Sequence, residues 1–239
     1  MKTIKAVLFL AVLVLCGVSV SAQSADAVIA KYVKAIGGKE QLSKIKSLYT
    51  ESKADIMGMT SVQKTTVLNG VGYKMEMDIM GSTMTTCINE NGGWSINPMM
   101  GSGSAEDLAE AQYNEAKNQI FIGAPFTVWD EKGYKAELLG NEAVGSANAA
   151  KVMLTAPDST SAIYYFDTDS GLLIKSVAQG DMQGQQVEST TIYSDYKEVD
   201  GYTLPYKVTI SMGSMFEMTN EVTKVEVNKT VDPAIFEKP

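Results

Sequence analysis

The stretch Tyr73-Lys74-Met75-Glu76-Met77-Asp78-Ile79 alternates strictly, with Tyr73, Met75, Met77 and Ile79 apolar and Lys74, Glu76 and Asp78 charged. A period of two belongs to a β-strand, whose successive side chains point to opposite faces, so the run describes a sheet with one apolar and one wet side. Similar runs lie at residues 48–56, 62–68, 84–88, 187–193, 206–212 and 222–228. Asn69-Gly70, Gly81-Ser82, Asn91-Gly92-Gly93 and Asp200-Gly201 punctuate them as hairpin turns. Pattern alone predicts about a dozen strands between Leu48 and Val227.

Helical spacing precedes this meander. Val28, Ile29, Tyr32, Val33 and Ile36 share one face of a helix that Ser24 can cap and Gly37-Gly38 stops, and a short helical turn at 40–45 follows. A second helix is predicted over 105–118, rich in Ala, Glu and Gln, with Ser104 and Asp107 spaced as a capping box. Segment 120–126 is expected to return the chain to the sheet. Neither a linker nor a strict repeat divides the chain, which predicts one domain over residues 23–239. A sheet of this size curls as strand twist accumulates, and its apolar face must be covered. The predicted fold is therefore β-rich α+β: a single open, half-closed antiparallel β-barrel with helices covering the concave face.

Composition narrows the chemistry. The 239 residues carry 20 basic side chains against 28 acidic ones, and all 20 are Lys, with no Arg and no His anywhere. That removes His general bases, His-ligated metals and bidentate Arg clamps on phosphate. A net charge of −8 argues against a nucleic-acid partner, which selects basic surfaces.

Residues 1–22 read as a signal peptide: Lys2 and Lys5, an apolar run over 6–18, and Val20-Ser21-Ala22 ahead of Gln23. Export is expected, with the mature chain beginning at Gln23, carrying a net charge of −10 once both lysines are lost. The location implied is the periplasm of a Gram-negative bacterium. The alternative is an outer-membrane lipoprotein acylated at Cys16, although Leu15 before it departs from the usual small residue. No second apolar stretch reaches membrane-spanning length. Cleavage leaves Cys87 as the one mature cysteine, which excludes an internal disulfide; without His to activate it, a buried apolar role in Thr85-Thr86-Cys87-Ile88 is expected.

Shorter motifs lead nowhere. Gly37-Gly38-Lys39 lacks the first Gly and the Ser/Thr of a phosphate loop and reads as a helix stop. Asp167-Thr168-Asp169-Ser170-Gly171 lacks the distal Glu and third oxygen ligand of a calcium loop and reads as a hairpin turn. Gly92-Gly93-Trp94 matches the short Gly-x-Trp of lipocalins but sits several strands too late. The chain has 14 Met, eight of them at 57, 59, 75, 77, 80, 84, 99 and 100. They read as core filler or as an adaptable apolar lining, since thioether chains fit varied shapes. Met212-x-x-Met215-x-x-Met218 resembles a copper-binding run, but on one strand Met215 points away from the other two. No cofactor or metal is expected.

Three segments together resemble a known family: Tyr164-Tyr165-Phe166-Asp167 with Gly171-Leu172-Leu173-Ile174-Lys175; Tyr193-Ser194-Asp195-Tyr196-Lys197-Glu198-Val199-Asp200-Gly201 with Leu204-Pro205-Tyr206; and Val231-Asp232-Pro233-Ala234-Ile235-Phe236-Glu237-Lys238-Pro239. They look like the C-terminal half of LolA/LolB-like bacterial outer-membrane lipoprotein-sorting proteins, relatives of which accompany some periplasmic insulinase-type peptidases. The helix ending at Gly38, Leu42, Ile45 and Gly93-Trp94 are similar to the same group. The resemblance implies a half-closed barrel around a helix, in a non-catalytic carrier of lipid, acyl chain or lipoprotein. Those carriers hold their lid helices with an Arg, which this chain lacks, so the implication is the cavity rather than the same transfer mechanism. By strand parity the expected lining is Tyr73, Met75, Met77 and Ile79, with Tyr206, Val208 and Ile210 on another strand. Partners are expected to be a lipid or acylated ligand, or a cell-envelope protein if the core is filled and the module only docks.

Overall fold

The structure is a computed structural model that describes residues 24–56, 58–79, 81–99, 103–182, 185–213 and 215–239. The expected signal peptide, Cys16, Met57, Met80 and Met100 lie outside these residues. Helix α1 (Ala25–Ala35) and the single turn α2 (Lys39–Leu42) lead into strands β1 (Ser47–Ile56), β2 (Met59–Leu68), β3 (Gly72–Ile79), β4 (Ser82–Asn89), β5 (Gly92–Ile96) and β6 (Glu106–Asp107). Helix α3 (Glu110–Ala116) and a 3-10 turn (Lys117–Ile120) separate these from β7 (Lys135–Val144), β8 (Ala147–Thr155), β9 (Ser161–Asp167), β10 (Leu173–Met182), β11 (Gln185–Val199), β12 (Tyr202–Met212) and β13 (Phe216–Val227). A final 3-10 turn spans Pro233–Phe236.

All thirteen strands form one antiparallel sheet in the order β6-β5-β4-β3-β2-β1-β13-β12-β11-β10-β9-β8-β7. Two meanders thus run outward from a central seam where the first strand pairs with the last, Leu48 opposite Val227 and Ile56 opposite Met218. The edges β6 and β7 do not pair with each other, so the barrel is open, as the alternating runs and the family resemblance implied.

Helix α1 packs on the inner face. The Ser24 hydroxyl accepts a hydrogen bond from the Ala27 N–H at 3.1 Å, and Gly38 N–H closes the other end on the Val33 carbonyl at 2.8 Å. Val28, Ile29, Tyr32, Val33 and Ile36 are buried in one cluster with Val152, Leu154, Phe166 and Leu173 of the sheet. Each such side chain contributes roughly 1.5–3 kcal/mol on burial, which makes α1 a fixed plug rather than a loose lid. Its flanks are tied to hairpins: Lys31 Nζ donates to the Thr168 and Asp169 carbonyls, Gln41 Nε2 to the Asp200 carbonyl, and Thr203 N–H to the Ile36 carbonyl. Gly37 has φ +130° and lies so close to Gly201 that a Cβ would overlap its carbonyl. A glycine stop and a helix-to-sheet contact therefore share one residue.

Two expectations from sequence need correction. Segment 120–126 does not rejoin the sheet; residues 121–133 form a compact loop whose Ile122 and Phe126 are buried under α1. Phe126 meets Tyr32, Tyr164 and Phe166 edge-on, with ring centroids 5.1, 4.8 and 5.2 Å away. Burying these aromatic faces outweighs the strand pairing that an apolar run would otherwise seek. The helix predicted over 105–118 is also shorter. Glu106–Asp107 pair with Ser95 and Trp94 instead, and α3 begins three residues later, where the Gln112 side chain accepts from Ala109 N–H at 3.2 Å. No residue of α3 is buried, so it borders the concave face rather than filling it.

The outer face is closed by the C-terminus. Phe236 sits against Cys87 and Trp94, and its carbonyl accepts from Trp94 Nε1, Asn89 Nδ2 and Cys87 Sγ at 3.2, 3.2 and 3.4 Å. Gly72 makes the room, since any Cβ there would strike the Phe236 ring.

Candidate functional site

Beyond the reach of α1, the register lays out a second half of the inner face. Directly opposed residues of an antiparallel pair share a face. One row runs Met84, Met77, Gln63, Ser52, Val222; the next runs Ser61, Ala54, Asn220, Val208 and ends on Tyr193, which packs back against the α1 cluster; a third runs Met59, Ile56, Met218, Ile210, Thr191. The outer face of the same strands carries ion pairs such as Lys74–Glu76 and Lys207–Glu221, both at 3.0 Å. The strand alternation read from residues 73–79 therefore separates a trough of mixed lining, where Met, Ile and Val stand beside Gln63, Ser52, Ser61, Asn220 and Thr191, from a charged exterior.

The seven residues singled out from sequence are distributed unevenly along this trough. Tyr73 is at the α1 end, packed against the core, and burial pushes its hydroxyl up to about 12. Met75, opposite Thr65 and Thr86, is half-buried, as is Ile79, whereas Met77 is buried beside Met84. Val208 and Ile210 stand across the seam, opposite Asn220 and Met218. Tyr206 keeps different company: the Lys197 ammonium lies 4.3 Å over its ring, paired at 2.9 Å with Asp195.

Ile56, Met218, Asn220 and Phe216 share the inner face with the seven residues that the alternation singles out. Their signal was present, because Phe216, Met218, Asn220 and Val222 alternate with Glu217, Thr219 and Glu221, but a polar Asn interrupts the apolar register. The run Met212 to Met218 is not one strand either. Met212 ends β12, Met218 lies in β13, and Met215 is exposed in the turn between them.

Two cavities flank α3. One of about 270 Å³ opens between it and the sheet, lined by Met84, Thr86, Ile96, Leu108 and Gln112, and extends the methionine row sideways. The other, about 380 Å³, is polar, with Tyr113, Lys117, Asn118, Lys132, Tyr134 and Asp158 in its wall. The Asp167 turn serves the fold: its carboxylate accepts from Asp169 N–H, Ser170 N–H and the Ser170 hydroxyl at 2.7–3.0 Å, which holds it below the usual carboxylate range.

Cys87 lies on the opposite, outer face and is fully buried. Burial pushes its thiol up to about 11, so almost none is thiolate at neutral pH. The native protein is expected to leave a thiol reagent unreacted at pH 8 and to titrate one thiol only after unfolding in denaturant. Rapid native reaction would show that the Phe236 cover opens.

No family model matches the chain, and no curated protein does. Solved structures do. A LolA superfamily protein of Nitrosomonas europaea is 12% identical with a TM-score of 0.63, over 90% of this chain and 98% of that one. A DUF1329 family protein of Desulfovibrio piger is 14% identical, TM-score 0.61, over 88% and 97%. A putative outer membrane lipoprotein-sorting protein domain of Vibrio parahaemolyticus is 14% identical, TM-score 0.58, again over 88% and 97%. The resemblance read from the segments at 164–175, 193–206 and 231–239 thus holds at the level of the fold, and this chain has the open half-barrel of the LolA-like proteins.

Proposed function

We propose that the protein is an exported, non-catalytic carrier of a lipid, acyl chain or lipoprotein, working in the periplasm. The observation that supports this reading is the trough on the inner face beyond α1, which carries Met59, Met77, Met84 and Met218, in a fold shared with a LolA superfamily protein and a putative outer membrane lipoprotein-sorting domain. Burying an acyl chain there gains about 0.8 kcal/mol per CH2, and flexible thioether side chains accept varied chain lengths. Titration with a fluorescent fatty acid or lipopeptide tests it: saturable binding displaced by unlabelled acyl chains is expected, and no binding to any acyl ligand would overturn it. Among the described residues no helix is long and apolar enough to cross a membrane.

One observation favours a second reading. Because α1 and the 121–133 loop fill one half of the concavity with buried side chains, the module could instead be a filled scaffold that docks a cell-envelope protein. The same titration separates the two, as a filled scaffold binds no acyl ligand.

Export itself has a direct readout. Intact-mass analysis of the protein from a Gram-negative host is expected to give a chain starting at Gln23; a mass retaining Cys16 with added acyl groups would replace this with a lipid-anchored form.

A further inference from the structure

The larger of the two cavities, about 380 Å³, lies outside the trough and joins segments from both halves of the sheet. Glu90 comes from the β4–β5 turn, Lys117 and Asn118 from the 3-10 turn behind α3, Lys132 from the 121–133 loop, and Asp158 from the β8–β9 turn. Glu90, Lys132 and Asp158 are exposed, so solutes reach the space between them. Its wall holds hydrogen-bond donors that the protein itself leaves unspent. Asn118, 9% exposed, donates from Nδ2 to the Tyr134 hydroxyl at 2.6 Å. That hydroxyl is the acceptor in the bond, and its own proton has no acceptor among the described residues. Burial raises Tyr134 above the ordinary tyrosine range, so it stays a donor at neutral pH. Lys117 gives one N–H to Asn114 Oδ1 at 2.9 Å, and the Lys132 ammonium lies 4.8 Å over the Phe121 ring. Among the described residues neither lysine forms an ion pair with a carboxylate. Of the two acids in the wall, Asp158 is engaged: its Oδ1 accepts from the Thr160 hydroxyl and N–H at 2.7 and 3.0 Å, which holds it below the usual carboxylate range.

We infer that this cavity binds a small organic anion, a carboxylate or phosphate monoester carried on a ring, through Lys117, Lys132 and the Tyr134 hydroxyl. An oxyanion supplies the acceptors that these three donors lack, and hydrogen bonds from ammonium groups to it are of the strong, charge-assisted kind. Tyr113, Phe121, Tyr134 and Pro157 give the ring apolar walls to lie against. Glu90, the remaining acid, opposes the bound charge and limits affinity. The site is independent of the carrier reading, because none of its wall residues belongs to the trough.

Heteronuclear NMR titration of the protein with benzoate, phenyl phosphate and neutral benzamide tests the inference, since it detects weak binding and maps it. At least one anion is expected to bind about tenfold more tightly than benzamide, with shifts centred on Asn118, Lys132 and Tyr134. Which anion binds better distinguishes a carboxylate ligand from a phosphate ester. Lys117→Gln and Lys132→Gln should each weaken that anion by roughly three- to tenfold, and Glu90→Gln should tighten it. Acyl-ligand binding should be unchanged in all three variants, which keeps this result apart from the test of the carrier. Benzamide binding as tightly as both anions, no binding of either anion, or shifts confined to other surfaces overturns the inference. Weaker anion binding in Glu90→Gln overturns it too, because the cavity would then be reading a cationic group. The comparison of the three compounds needs only the parent protein and decides the matter if a variant does not fold.

Discussion

Replacing Met77 by Lys is expected to weaken acyl-ligand binding by at least about 100-fold, close to 3 kcal/mol. Met77 is 8% exposed, on the inner face, directly opposite Met84 and Gln63, so its side chain is shielded among its neighbours on that face. An ammonium there must either be desolvated or draw water into the space the acyl chain needs, and both oppose binding. A control on the outer face must respect what the structure places there. Glu76 pairs with Lys74 at 3.0 Å and lies opposite Lys64, so Glu76→Lys would gather three lysines, whereas Glu76→Gln removes only a half-exposed pair worth about 0–1 kcal/mol. Circular dichroism confirms that each variant is folded before titration. Equal affinities for Met77→Lys and Glu76→Gln would remove the trough from the binding site.

Phe126→Ala is expected to destabilise the protein by about 3–5 kcal/mol without touching the trough. Phe126 is 2% exposed and stands where α1, the 121–133 loop and β9 meet, against Tyr32, Tyr164 and Phe166. Truncation removes three edge-on ring contacts and leaves a cavity that fixed strands on one side and a capped helix on the other cannot close. Urea denaturation measures the loss. A change below about 1 kcal/mol would mean that α1 is held by its hairpin hydrogen bonds rather than by this aromatic cluster. The result also bears on function: if α1 is a plug, weakening its seat should lower stability before it alters ligand affinity.

Features that repeat over short distances are legible without any tertiary contact. Alternation at residues 73–79, the glycine turns and the helical face from Val28 to Ile36 each depend on neighbours within a few positions, and each appears in the structure where the pattern put it. The absence of Arg and His likewise narrowed the chemistry before any fold was known. Tertiary structure decided the remainder, because it depends on which strands meet. Pairing of β1 with β13 brings Ile56 against Met218 and Ala54 against Asn220 across more than 150 residues of chain, and no local period encodes that. The same holds for Ile122 and Phe126, whose apolar run reads as a strand until α1 offers them a better place to be buried. Asn220 reads as a polar interruption in β13 until its neighbours on two other strands turn it into a shielded acceptor, since solvation is a property of the assembled surface and not of the sequence around a residue.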